Sequence, residues 1–105
     1  MARVYLSGPM TGLPEKNYPL FMEVAAELRA EGHIVYNPAE FAPRRPADAF
    51  PIREAFSEYC KFICEEAEEL VLLPDWEASL GVSAELALAK NCGLRITEYE
   101  RPTLT

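Results

Sequence analysis

The sequence predicts an α/β fold, a single domain in which a parallel sheet of four or five strands is covered by helices on both faces. Short apolar runs alternate with segments of helical periodicity in the order β-α-β-α-β-α-β. The run LVLL at residues 70–73 is apolar throughout, as expected of a strand covered on both faces. The chain has 105 residues, of which 50% are hydrophobic, so it can bury one core. This pattern is typical of flavodoxin- and Rossmann-like sheets.

The first half of the chain predicts two strands and one helix. Residues 3–7 predict the first strand. Pro19 suits the first turn of a helix, with Asn17 or Tyr18 as its cap, and apolar residues recur at helical spacing after it. Residues 33–36 predict a second strand. Each strand ends in a segment rich in turn-forming residues, which is where a βα connection is expected.

The second half begins with a loop of four prolines at residues 38–51, which is either a functional flap or a plain surface connection. A second helix follows, and its apolar stripe is formed by Ile52, Phe56, Tyr59, Cys60 and Ile63. After the strand at 70–73, a third helix is expected from about residue 82 to residue 92. Residues 94–97 predict the last strand.

The charge and hydropathy of the chain exclude several classes of function. The formal net charge is −7, and Arg44-Arg45 is its one local basic cluster, so nucleic-acid binding is not expected. No apolar run approaches the roughly 20 residues of a membrane span, and no signal peptide is evident. We therefore expect a cytoplasmic protein that does not bind membranes.

The cysteines predict neither a disulfide framework nor a metal site. The chain has an odd number of cysteines, Cys60, Cys64 and Cys92, and no evident secretory signal. We therefore interpret the three side chains as reduced thiols. Cys60 and Cys64 lie four residues apart on one helix face, but no second pair of ligands accompanies them. We expect no bound metal.

Two loops have unusual composition, and both are expected at the same edge of the sheet. The loop at residues 7–16 follows the first strand, and the loop at residues 74–81 follows the third. Ligands of open parallel sheets bind beyond the carboxyl ends of the strands. The turn from Ser7 to Gly12 lacks the pattern of a P-loop or a dinucleotide fingerprint, so by itself it is either a phosphate-cradling loop or an ordinary tight turn.

Four side chains near this edge are candidates for chemistry, and three of them also have a plain structural alternative. Glu85 is expected in the first turn of the third helix, where the helix dipole favours an ionised carboxylate and where exposed glutamates are also common. Tyr5 shares a strand face with Ser7 and either hydrogen-bonds a carboxylate or packs in the core. Ser79 offers a hydroxyl, and Trp76 either stacks on a base or caps the core.

Two stretches, YLSGPMTG near the N-terminus and LPDWEASLGVSAEL near residue 80, carry a resemblance over nearly the whole chain. Together with the β/α order they resemble the nucleoside 2-deoxyribosyltransferase-like superfamily, in particular its small, often phage- or prophage-encoded members. The chain also resembles the 2′-deoxynucleoside 5′-phosphate N-hydrolases. The resemblance implies that residues 1–105 form one such domain.

This resemblance implies a catalytic pair and a pocket. Glu85 would be the nucleophile that attacks the anomeric carbon of a deoxyribose, and Tyr5 would orient it. The implied substrate-binding residues come from the two loops and are Ser7, Gly8, Met10, Thr11, Gly12, Ser79 and Gly81. Transferases of free nucleosides carry an aspartate at the place of Ser79, whereas a serine hydroxyl can donate to a 5′-phosphate. A nucleoside 5′-monophosphate is therefore the expected substrate.

The chain departs from its relatives at two positions in the expected site. Cys60 stands where relatives often place an aspartate that assists departure of the base, and a thiol is a poor general acid near neutral pH. Asp75 replaces the usual glycine. Glu58 and Asp75 are the candidates to supply the missing acid.

The expected function is an N-glycosidase or deoxyribosyltransferase that acts on a small-molecule nucleotide or nucleoside and needs no cofactor. The alternative is a nucleotide-binding protein with the same pocket and little or no catalysis. The resemblance and the small core imply a homodimer or higher homo-oligomer.

Overall fold

The computed structural model of the chain describes residues 1–44 and 49–100. Arg45 of the predicted basic pair, part of the loop at 38–51 and residues 101–105 lie outside the described residues. The strands are β1 (Arg3–Ser7), β2 (Ile34–Tyr36), β3 (Glu69–Leu72) and β4 (Arg95–Glu98). The helices are α1 (Tyr18–Ala30), α2 (Ile52–Glu65) and α3 (Leu80–Asn91), and short 3-10 turns lie at Pro14–Asn17, Pro38–Glu40 and Trp76–Ala78.

The four strands form one parallel sheet in the order β2-β1-β3-β4. Helix α1 packs on one face, and α2 and α3 pack on the other. This arrangement confirms the predicted fold class. Strands β1 and β3 lie at the centre and are almost completely buried.

Alternation along the central strands divides the core into two layers. Val4 and Leu6 of β1 face α1, where they meet Phe21 and Val24. Tyr5 points to the opposite face, toward Tyr59 of α2. Successive side chains of a strand point to opposite faces, so the period of two in β1 assigns each residue to its layer.

The loops after β1 and β3 emerge side by side at the carboxyl edge of the sheet. Ser7 pairs with Leu72, and the Leu73 N–H donates to the Ser7 carbonyl at 2.8 Å. Gly8 lies so close to Leu73 that an added Cβ would fall 2.8 Å from the Leu73 Cβ. A glycine is therefore needed at this position for the two loops to approach each other.

One predicted helix start is confirmed, and another differs from the structure. Helix α1 begins after Asn17, but the Asn17 side chain does not cap it and donates instead to the Pro9 carbonyl at 3.0 Å. Helix α3 begins at Leu80 rather than at residue 82, because the Ser79 hydroxyl accepts from the Val82 N–H at 3.3 Å and acts as the N-cap. Within the described residues, no helix is long and apolar enough to cross a membrane.

Candidate functional site

Glu85 lies on the second turn of α3 and faces the sheet. The prediction that it occupies the first turn is wrong, because the cap at Ser79 starts the helix two residues earlier than expected. Only 7% of its surface is exposed. The helix dipole acts mainly on the first turn, so it is not what sets the charge of this carboxyl group.

Two hydroxyl groups of β1 hold the Glu85 carboxylate. Tyr5 donates to Oε2 at 2.7 Å, and Ser7 donates to Oε1 at 2.6 Å. Both donors are fully buried, and they reach the same carboxylate because they lie two residues apart on one face of the strand. The structure thus brings Glu85 together with Tyr5 and Ser7, which lie 80 and 78 positions before it in the sequence.

Burial dominates the protonation of this group. It raises the pKa of Glu85 to about 7, although the hydrogen bonds from Ser7 and Tyr5 lower it. The pKa of Tyr5 is also raised, first by burial and then by the neighbouring Glu85. At neutral pH the carboxyl group is therefore divided between its protonated and ionised forms, which corrects the expectation that the dipole keeps it ionised.

Glu85 opens onto a cavity of about 750 Å³ at the carboxyl edge of the sheet. This volume is within the usual range for small-molecule sites. Six of the predicted binding residues line it, and they are Gly8, Met10, Thr11, Gly12, Ser79 and Gly81. Ser7 does not line the cavity, because its side chain is wholly buried and its hydroxyl is directed to Glu85. Its predicted role in ligand binding is therefore replaced by a role in holding the carboxylate.

The opposite wall of the cavity is formed largely by aromatic and apolar side chains that the sequence did not mark as part of a site. Among them are Tyr18, Phe50, Ile52, Phe56 and Tyr59. Three of these, Ile52, Phe56 and Tyr59, belong to the predicted apolar stripe of α2. Their helical spacing could not reveal that one end of the stripe faces a cavity.

The described part of the proline-rich loop also borders the cavity. Pro38, at its start, and Phe50, near its end, both line it. Of the two interpretations of residues 38–51, this placement favours a segment that borders the site over a plain surface connection.

The structure brings neither Cys60 nor the two proposed substitutes into the cavity lining. The Cys60 thiol has a raised pKa, first because of burial and then because of the charge of Glu85. Glu58 accepts a hydrogen bond from the Tyr36 hydroxyl, and Asp75 lies in a left-handed turn with a φ of 66°. None of the three is positioned to protonate a ligand in this cavity.

Trp76 lies away from the cavity lining and donates from its indole nitrogen to Glu98 at 2.9 Å. It packs against the layer formed by α2 and α3, so it caps the core. Across the described ranges there is no group of three or more His, Cys, Asp or Glu side chains that could hold a metal ion.

Residues 2–98 match a family profile described as a domain of unknown function, DUF4406, so the chain belongs to that family. No curated protein matches the chain significantly in sequence.

Proposed function

We propose that this DUF4406 protein cleaves the N-glycosidic bond of a deoxynucleoside 5′-monophosphate, with Glu85 as the nucleophile. The observation that carries the proposal is a buried carboxylate held by two hydroxyls at the wall of a cavity of about 750 Å³. The family would then be related to the nucleoside 2-deoxyribosyltransferase-like superfamily that its two motifs resemble.

The geometry around Glu85 is compatible with a covalent intermediate. Each carboxylate oxygen accepts one hydrogen bond, which leaves a lone pair on each for attack. One oxygen attacks C1′ of the sugar, the C1′–N bond breaks, and the bonding electron pair leaves with the base, which takes a proton from solvent. The product of this step is a glycosyl ester of Glu85.

Resolution of the ester decides between a hydrolase and a transferase. In hydrolysis, water attacks C1′ and loses a proton, the ester bond breaks, and the carboxylate and 2-deoxyribose 5-phosphate are released. A second base that attacks in place of water would make the protein a transferase. Both routes retain the configuration at C1′, since each contains two displacements.

The start of α3 supports a phosphate in the same cavity. Ser79 and Gly81 line the cavity at the N-terminus of a 12-residue helix, where backbone dipoles favour an anion. The Ser79 oxygen accepts from Val82, which leaves its hydroxyl proton available to a ligand. The apolar wall opposite is suited to the base.

The experiment is to incubate the protein with each deoxynucleoside 5′-monophosphate and measure free base by chromatography. Wild type should release base, and Glu85→Gln should not. The matched control is Glu77→Gln, which removes the same charge from an exposed residue outside the cavity lining and should retain activity. Absence of base release from every substrate by wild type would sink the catalytic proposal.

One observation favours the second candidate, a nucleotide-binding protein with little catalysis. Glu85 is the single carboxyl group among the described residues that line the cavity, so no second carboxylic acid there is available to protonate the departing base. Calorimetry with the same nucleotides tests this candidate. Binding by wild type without any base release would support it over the enzyme.

We also propose that the protein acts in the cytoplasm as a homodimer or higher homo-oligomer. Apolar side chains near the cavity support an assembled state, because Leu80 is 87% and Ile52 is 58% exposed. Sedimentation analysis of the full chain would give the oligomeric state, and a monomer at micromolar concentration would contradict this part of the proposal.

A further inference from the structure

Lys16 is a charged residue of the cavity to which the proposed chemistry gives no role. It belongs to the turn Pro14–Asn17, between the loop after β1 and helix α1. Among the described residues that line the cavity, Lys16 is the one lysine or arginine, and Glu85 is the one acidic residue. The cavity therefore has one cationic and one potentially anionic side chain in an otherwise neutral lining.

The backbone around Lys16 has an uncommon conformation. Glu15, Lys16 and Asn17 have φ values of 51°, 54° and 62°, which place three consecutive non-glycine residues in the left-handed region. Such residues are strained, and they persist only where the surroundings hold them. Here the Asn17 side chain donates to the Pro9 carbonyl at 3.0 Å, and the Lys16 N–H donates to the Leu13 carbonyl at 3.0 Å.

This turn directs the Lys16 side chain toward the cavity. Its Nζ lies 5.4 Å from the centre of the Phe50 ring, and both residues line the cavity. No ion pair joins Lys16 to a carboxylate in the described part of the chain. An ammonium over an exposed ring is held weakly, so it is available to an anion that enters the cavity.

An anionic ligand needs such a cation in this protein. The chain has a net charge of −7, and Glu85 is partly ionised at neutral pH. Both features oppose the entry of a dianionic phosphate, and the start of α3 contributes only partial charges. An ammonium on the cavity wall is the group that most directly offsets this repulsion.

We infer that Lys16 binds the phosphate of the ligand and selects nucleotides over nucleosides. The choice of a sugar phosphate as ligand rests on the proposed function, whereas the cation that would bind its anionic group is a feature of the cavity itself. Lys16 is thus a specificity residue, which contacts the phosphate and takes no part in bond breaking. Its removal should raise the KM for a nucleotide and leave kcat nearly unchanged.

The test compares the binding of 2-deoxyribose 5-phosphate with that of 2-deoxyribose by isothermal calorimetry. Lys16→Met should weaken binding of the sugar phosphate by at least about 10-fold, because a charge-assisted contact is lost, and leave binding of the free sugar unchanged. Lys16→Arg should restore most of the affinity. Lys61→Met is the matched control, since Lys61 is exposed on α2 and does not line the cavity.

Three results would overturn the inference. They are equal effects of Lys16→Met and Lys61→Met, equal loss of both ligands in Lys16→Met, and no detectable binding of 2-deoxyribose 5-phosphate by wild type. Lys16 is exposed, so circular dichroism should show all variants to be folded.

The inference and the proposed function fail in different ways. Binding of the sugar phosphate that depends on Lys16, without any base release, would support the phosphate-binding role of Lys16 and contradict the proposed glycosidase activity. Base release with the same KM in wild type and Lys16→Met would support the glycosidase and sink the role of Lys16.

Discussion

The two faces of strand β1 differ in what they bury. On the α1 side, Val4 and Leu6 belong to an apolar cluster with Phe21 and Val24. On the side of α2 and α3, Tyr5 and Ser7 direct hydroxyls to the carboxyl group of Glu85. No buried side-chain oxygen or nitrogen in residues 1–44 and 49–100 is left without a hydrogen-bond partner.

The difference shows where this protein accepts a cost in stability. An apolar layer gains free energy from burial alone. A buried carboxyl group loses hydration and is compensated only in part by two hydrogen bonds, as the raised pKa of Glu85 records. Such an arrangement at the wall of a cavity is typical of a functional site.

The largest expected effect comes from removing the carboxylate that Tyr5 and Ser7 hold on the α2 and α3 side of β1. Glu85→Gln should reduce base release by at least about 10³-fold, because an amide cannot form the glycosyl ester. The measurement is the initial rate of base release from the best nucleotide substrate. A variant that keeps a tenth of the wild-type rate would show that Glu85 is not the nucleophile.

The pH dependence of stability should reveal the same group. The pKa of Glu85 is about 7 in the folded protein against 4.5 for the ordinary side chain, so the folded state binds the proton more tightly. Its contribution to stability is therefore complete below about pH 4.5 and is lost as the pH rises through about 7. The loss should be about 3 kcal/mol, from the difference between the two pKa values.

Urea unfolding of wild type and Glu85→Gln between pH 4.5 and 8 measures this effect. The difference between their unfolding free energies should change with pH in the stated direction, because the amide does not titrate. The same pH dependence in both proteins would mean that burial does not raise the pKa of Glu85.

A hydroxyl placed on the apolar face should be destabilising. Val4→Thr keeps the shape of the side chain but buries a hydroxyl among apolar neighbours, which should cost about 1–3 kcal/mol of unfolding free energy. Chemical denaturation at fixed pH measures it. A Val4→Thr variant as stable as wild type would show that the α1 side of β1 tolerates a buried hydroxyl. The two faces of β1 would then not differ in the polarity that they accept.

The smallest effect is expected from removing one of the two hydroxyls of β1 that donate to Glu85. Tyr5→Phe removes a hydrogen bond that lowers the pKa of Glu85, so that pKa should rise by about one unit. Base release at pH 7 should fall by about 5-fold and recover at higher pH, since the ionised carboxylate is the reactive form. The pH profile of the rate provides the measurement.

Tyr36→Phe is the control for this prediction. Tyr36 stacks on Tyr5 with ring centres 5.5 Å apart, but its hydroxyl bonds to Glu58. Its removal should leave the midpoint of the pH profile in place. A profile that shifts equally in both variants would attribute the effect to ring packing rather than to the hydrogen bond.

Part of the site could be predicted because it depends on local sequence. The period of two places Tyr5 and Ser7 on one face of β1, and the loops after β1 and β3 follow from the order of the elements. The sequence could not show that the Ser7 hydroxyl binds Glu85 and does not line the cavity. The position of a residue in a strand does not tell whether its hydroxyl contacts a ligand or another side chain. The opposite wall was missed because an apolar stripe on α2 has the same spacing in a core and in a cavity lining.

The sequence by itself determined the α/β class, the order of the strands and helices along the chain, and the two loops that border the site. These follow from hydrophobic periodicity and turn chemistry, which act over a few residues. Only the tertiary structure decided the charge of Glu85 and its partners. Burial and hydrogen bonding depend on which side chains meet, and the first turn of α3, where its dipole would have acted, ends before Glu85.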